Sequence, residues 1–307
     1  MKIIVTHMSP DWDAIGSVWL IRKFLPGWEN ANVQFVPAGE KVGKRVNGKG
    51  ESGLNASRLM LNPIEHMGDD EVIHVDTGLT PLDHHQTQDT KVSAASLTWN
   101  YVLSEVEKGS SLTPVHKEAV SRIVKYIVAT DHFKEVFWKD AADDLHEFSL
   151  LGLLEGYKLL KQGQDMDYVN FGTVCLDAIT HTFENRIWAE KEIREKGIEF
   201  KTKYGKGMGF ETLNDTVLKL AQKMGYVLVV RKDPRKGYVR IKTIPSTDEK
   251  KGIDLTLAYE QLSKIDPDAT WFLHVSKKML LNGTPKNPKM RPTKLNLGDI
   301  IKVLEKL

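Results

Sequence analysis

Residues 2–17 read Lys-Ile-Ile-Val-Thr-His-Met-Ser-Pro-Asp-Trp-Asp-Ala-Ile-Gly-Ser. Lys2–Thr6 is a β-branched run, a polar turn follows, and Ala14–Phe24 carries apolar residues at helical spacing. Strand, loop and helix in that order open an α/β unit. Val33–Val36 reads as a second strand, and Glu71–Asp76 as a buried strand ending in a carboxylate. Helices are expected over Ala94–Val106, capped by Ser93, and over Pro114–Val128, which runs into Asp131-His132. Gly39–Gly53 reads as a surface loop. From Ala141 to Phe200 the pattern is helical, with breaks at Gly152, Gly163 and Gly172.

Lys201–Gly209 is basic and rich in glycine and marks a domain boundary. The expected division is 1–200 and 207–307. In the second part, helices are expected over Leu213–Met224, Ile253–Ile265 and Leu297–Leu307. Strands are expected over Tyr226–Val230, Tyr238–Ile244 and Trp271–Val275, the first two joined by a turn at Asp233–Gly237. The fold class expected is α/β: an N-terminal parallel-sheet domain, a smaller C-terminal α/β domain, and an active-site cleft between them.

Composition narrows the function. With 307 residues the chain has room for two domains and a large core. Lys and Arg number 43 against 41 Asp and Glu, a net charge of +2, which excludes polyanion binding by bulk charge. The single cysteine, Cys175, excludes a disulfide framework within the chain and a CxxC site. No apolar run approaches the roughly 20 residues of a membrane helix, so no membrane partner is expected. The opening stretch turns polar after five residues, unlike a signal peptide, and a cytoplasmic location is expected.

Four segments place Asp or His at the ends of expected strands and helices: His7 with Asp11 and Asp13, then Asp76, then Asp83-His84-His85, then Asp131-His132. One aspartate after a strand is usually a cap or a turn residue. Four such segments at strand ends converge on one crevice. Clustered carboxylates repel each other, and divalent cations remove that repulsion. Carboxylates mixed with imidazoles suit Mn²⁺, with Mg²⁺ or Co²⁺ as alternatives. A pair of ions roughly 3.5–4 Å apart needs a bridging carboxylate and clamps both oxygens of a phosphoryl displacement. Asp76, alone at its strand end, is the natural bridge.

These residues resemble the DHH phosphoesterase superfamily. His7–Ser17 is similar to its first motif, HxxPDxDAxGS, while Asp76, Asp83-His84-His85 and Asp131 are similar to the second, third and fourth. The likeness covers roughly residues 1–135, and the DHHQ form with its short gap is similar to a eukaryotic-type exonuclease branch. The resemblance implies one metal held by His7, Asp11 and Asp76, and a second held by Asp13, Asp76, His84 and Asp131. It implies that His85 faces the substrate phosphate, so that Asp76 and His85 carry the catalytic roles. The implied activity is hydrolysis of phosphodiester bonds in short single-stranded oligonucleotides or dinucleotides, with two Mn²⁺ ions.

For the second domain, His274, Ser276, Lys278, Asn282, Gly283 and Arg291 are the candidate substrate contacts, in a strand end and turn rich in donors. Arg240 is a further candidate, and Trp271 and Phe272 could stack a base. The glycine cluster usual in the nuclease branches is absent from this domain. That keeps open a pyrophosphatase or small-nucleotide phosphatase, or a nucleotide or metal sensor without turnover. Oligomeric state is not legible.

Overall fold

Strand β1 (Lys2–His7) is buried along its middle, as a β-branched run covered on both faces must be. It pairs in parallel with β2 (Asn32–Val36) on one side and β4 (Asp70–His74) on the other. Antiparallel β3 (Ile64–Met67) closes the sheet in the order β2-β1-β4-β3. The sheet is thus parallel except at one edge. The computed structural model describes residues 1–42, 62–109, 112–245, 252–284 and 286–307. Most of the glycine-rich loop expected over Gly39–Gly53 lies outside these residues.

Helix α1 (Trp12–Phe24) begins where the Asp11 side chain accepts from the N–H groups of Asp13 and Ala14. It is buried without a break from Trp12 to Ile21, as a helix apolar on all sides must be. It packs on β1, α2 (Ala94–Val106) and α3 (Pro114–Asp131). Ser93 caps α2 in a reciprocal pair with Ser96, and Thr113 caps α3 ahead of Pro114. Two 3₁₀ turns, Lys134–Phe137 and Asp144–Phe148, lead into α4 (Leu150–Leu160) and α5 (Asp165–Lys196).

Gly172 does not break α5. A side chain there would meet Ile15 Cγ2 at 2.4 Å, so the glycine lets α5 lie close on α1. Gly16 does the same for α3, where the clash would be with Ile127 Cδ1 at 2.6 Å. The core between these elements is built on Ile4, Ile15, Trp19, Ile73, Val102 and Ile127.

The chain divides into two units, Met1–Glu184 and Asn185–Leu307. The division precedes the expected one because residues 201–209 are not a linker. They form the turn and much of the second strand of a hairpin, β5 (Ile198–Thr202) with β6 (Gly205–Glu211). Gly207 and Gly209 are there for packing: the Phe200 ring covers the first, and Ile301 covers the second.

The second unit's sheet runs β5-β6-β7-β8-β10-β9, with β7 (Leu228–Lys232), β8 (Val239–Thr243), β9 (Trp271–Leu273) and β10 (Met279–Asn282). Among the described residues only the β6–β7 pair of this sheet is parallel. The turn at Asp233–Gly237 joins β7 to β8 as expected, with the Asp233 side chain accepting from the N–H groups of Arg235 and Lys236. Helices α6 (Thr216–Lys223), α7 (Thr256–Ile265) and α8 (Leu297–Leu304) contribute to this unit's cores. The whole is a mixed α/β protein.

Replacing Gly16 by valine should destabilise the protein by roughly 1–3 kcal/mol through overpacking against Ile127. Gly156→Ala in α4, where an added methyl meets open space, should instead stabilise it by about 0.5–1 kcal/mol. Urea unfolding midpoints of the two variants against the parent check both signs.

Candidate metal centre

The first unit's sheet delivers two chain segments to one place. His7 ends β1, and Asp76 lies two residues beyond β4 with its backbone in the left-handed region, φ 55°. Their side chains meet, His7 Nε2 to Asp76 Oδ2 at 3.2 Å, with Asp11 Oδ1 at 4.0 Å from the same nitrogen. From Asp76 the chain turns through Gly78 and Leu79, both at positive φ, to Asp83.

Asp83 shapes that turn. Its buried carboxylate accepts from the N–H groups of Leu79 (2.7 Å) and His85 (3.1 Å), and holds His85 Nδ1 at 2.7 Å. Burial works against its ionisation, yet these bonds hold it below the usual carboxylate range. The same bond, opposed by burial, lifts His85 to about 9, helped by the charges of Asp83, Asp76 and Asp131. At neutral pH the half-exposed His85 ring is therefore cationic.

His84 stands in the middle. Its Nε2 lies 3.6 Å from Asp13 Oδ2, 3.6 Å from Asp76 Oδ1 and 3.5 Å from Asp131 Oδ2. Asp131 arrives from the last turn of α3. His84 Nε2, Asp76 Oδ1 and Asp131 Oδ2 are buried and have no hydrogen-bond partner. Such orphaned groups are costly unless something satisfies them.

Among the described residues three ligand groups emerge: His7 with Asp11 and Asp76; Asp76 with His84 and His85; and His84 with Asp131 and His132. Ligands about 2.1 Å from one ion stand about 3.0 Å apart at octahedral right angles and about 3.4 Å apart in a tetrahedron. The observed separations of 3.2–3.6 Å around Asp76 and His84 fit an ion between them. His132 was not among the expected ligands, although it directly follows Asp131. Its Nε2 is bonded to the Val92 carbonyl at 2.8 Å and lies 3.6 Å from Asp131 Oδ2.

Asp13 has a different surrounding. It is fully buried, and its two oxygens accept from the N–H groups of Ala94 (2.7 Å) and Ala95 (2.8 Å) at the start of α2. Burial and the charges of Asp76 and Asp131 push its carboxyl well above the ordinary range despite these bonds. Asp131 is also raised, by burial and by the charges of Asp76 and Asp11. Burial pulls His7 down, but its bonds to Asp76 and to the Met8 carbonyl carry it up to about 9. A cation among these carboxylates would reverse the repulsion that raises them.

The second-unit candidates divide. Asn282 is corrected: it is fully buried and commits its amide to the carbonyls of Thr270 and Arg291 and the N–H of Thr293, so it staples its own unit together. Gly283, φ 75°, sits where the Tyr238 ring leaves no room for a side chain. Lys278 donates to the Ile253 carbonyl, and Arg240 is ion-paired with Asp215. His274 and Ser276 are bonded to each other and Arg291 is exposed. Trp271 belongs to the core, whereas Phe272 is half-exposed.

No family model matches the chain, and no curated protein matches it. Among solved structures it is similar to RecJ from Thermus thermophilus in complex with Mg²⁺, at 10% identity and a TM-score of 0.28, over 99% of this chain and 49% of that one. It is also similar to an exonuclease RecJ bound to manganese, at 8% identity and a TM-score of 0.27, over 99% of this chain and 89% of that one. The chain spans about half the length of the first. Likeness this slight decides nothing about the site.

Asp13 and Asp76 should separate on substitution. Asp13→Ala leaves two helix N–H groups buried without a partner and should cost at least about 2 kcal/mol in chelator-treated protein. Asp76→Asn under the same conditions keeps a residue suited to the left-handed backbone and removes a charge from the carboxylate cluster, so it should cost less than Asp13→Ala. Thermal unfolding in EDTA checks the contrast.

Proposed function

We propose that this protein is a metal-dependent phosphoesterase that hydrolyses phosphodiester bonds in short single-stranded oligonucleotides or dinucleotides at a dinuclear centre. The supporting observation is Asp76. One of its oxygens faces His7, and the other, buried and unpartnered, faces His84 and His85. A carboxylate turned both ways between two ligand groups is what two neighbouring ions require. His7, Asp11 and Asp76 would hold one ion, and Asp76, His84 and Asp131 the other. Asp13 and His132 stand within reach of the second. Four carboxylates with two or three imidazoles suit Mn²⁺ better than Mg²⁺, which takes oxygen almost exclusively.

When bound, the ions supply positive charge to the attacking and leaving oxygens and acidify bound water. The chain's own residues do the rest. Asp83 fixes the His85 ring through Nδ1, so Nε2–H is the proton that His85 presents to a phosphoryl oxygen. His85 shares with His7, Asp76 and Gly39 the lining of a cavity of about 430 Å³, room enough for a phosphodiester. In the second unit, His274, Ser276 and Arg291 offer donors to further phosphates. Among the described residues no helix is long and apolar enough to cross a membrane.

Metal-stripped protein titrated with Mn²⁺ should take up two ions per chain, and Asp76→Asn should lose that stoichiometry together with hydrolysis. Assayed side by side, a dinucleotide and a short single-stranded RNA should release mononucleotides. Orthophosphate from pyrophosphate alone would replace this reading with a pyrophosphatase.

A further inference from the structure

A second cavity of the first unit, about 460 Å³, shares one wall with the metal centre, where Asp11, Asp13 and Asp131 line both. Its volume lies in the range of small-molecule sites. The far side is of another character. The Trp138 ring lies 5.8 Å from Tyr126 and 5.6 Å from His146, centroid to centroid, and Trp138 and His146 face the cavity. Phe133 lines it too and is 73% exposed, which puts its ring at the rim. Phe133 has φ 53°, a conformation that costs a bulky residue about 1–3 kcal/mol. The step that presents Asp131 to the centre thus presents, two residues later, an aromatic ring to the cavity.

The polar lining is acidic. Glu135, Glu147 and Glu155 face the cavity, and no lysine or arginine lines it among the described residues. A second phosphate is unwelcome in such a space. A neutral flat group with hydrogen-bond donors at its edge is suited to it. Glu135 lines the cavity and its shielded Oε2 has no hydrogen-bond partner, so a turn of the side chain that presents it to the cavity breaks no hydrogen bond of that oxygen. An aromatic wall with a carboxylate at its edge matches an unpaired base, stacked on its face and read on its Watson–Crick edge. A carboxylate accepts only, and guanine alone offers it two adjacent donors, N1–H and N2–H. Adenine and cytosine present one donor beside an acceptor, and uracil presents one donor between two carbonyls.

We propose that this cavity is the base-binding subsite of the enzyme, that Trp138 stacks the base of the nucleotide whose phosphate lies at the centre, and that Glu135 selects guanine. The proposal rests on the phosphoesterase reading for the position of the phosphate. It rests on the cavity alone for the base.

The test is calorimetric binding of the 5′-monophosphates of guanosine, adenosine, cytidine and uridine, and of inorganic phosphate, to the full chain in Mn²⁺. GMP should bind more tightly than UMP by about tenfold, or about 1.4 kcal/mol. Glu135→Gln should remove that margin, and Trp138→Ala should bring all four nucleotides toward the affinity of inorganic phosphate. The conservative Glu135→Gln change keeps the side-chain shape, and an unchanged melting temperature confirms the fold. Four nucleotides that bind alike in the parent, or a margin that survives Glu135→Gln, would overturn the proposal. Hydrolysis of dinucleotides without base preference would sink the subsite while leaving the phosphoesterase standing. A GMP margin lost in Glu135→Gln, in a protein that hydrolyses no ester, would sink the phosphoesterase and leave the subsite standing.

Discussion

A buried carboxylate with two helix amides holds this site together. Asp13 enters from the first turn of α1, and its oxygens close on the N–H groups of Ala94 and Ala95 at the start of α2. These are donors that a helix cannot satisfy itself, and an anion at a helix N-terminus also meets the favourable end of the dipole. One side chain thereby fastens two helices and fixes the distance between the His7–Asp11 turn and the rest of the cluster. His84 then stands 3.6 Å from Asp13. The position of the imidazole and the seam between the helices are thus set by one residue.

The turn after β4 is built on the same device. Asp76 and Leu79 occupy left-handed backbone, and Asp83 offsets that strain with three hydrogen bonds. The Asp of the Asp-His-His triplet is therefore a builder rather than a ligand. It bends the chain so that His84 turns inward and His85 stays half in the open. Rigid positioning of this kind matters because the unpartnered atoms of Asp76, His84 and Asp131 must keep their spacing in the face of mutual repulsion.

The first unit was legible because its chemistry sits where strands stop. His7 and Asp76 end or follow buried β-branched runs, and Asp131 ends a helix with an apolar face, so periodicity located them before any contact was known. What the sequence hid was hidden by ambiguity of residue type. Gly207 and Gly209 read as linker residues, yet they are strand positions kept bare by Phe200 and Ile301. Lys277 and Lys278 masked β10, a short strand that follows them directly. Asn282 looked like a phosphate donor because an amide beside a glycine serves both binding and folding, and only its three internal partners decide between them. The aromatic cavity was not foreseen: residues from Ala141 on read as the start of a helical stretch, yet residues 133–148 come together through two short 3₁₀ turns.

The helices around the centre also give it a direction. Helix α1 starts at its Asp11 cap and the first N–H groups of α2 meet the Asp13 carboxylate, while α3 ends at Asp131. A helix carries about half a positive charge at its start and about half a negative charge at its end. The acid row therefore lies in a fixed electric field, tempered at the Asp11–Asp13 side and deepened at the Asp131 side. A symmetrical list of carboxylates conceals this polarity. A molecule with unequal ends that settles here does not lie either way round with equal ease, so the site's handedness is written partly in its peptide groups.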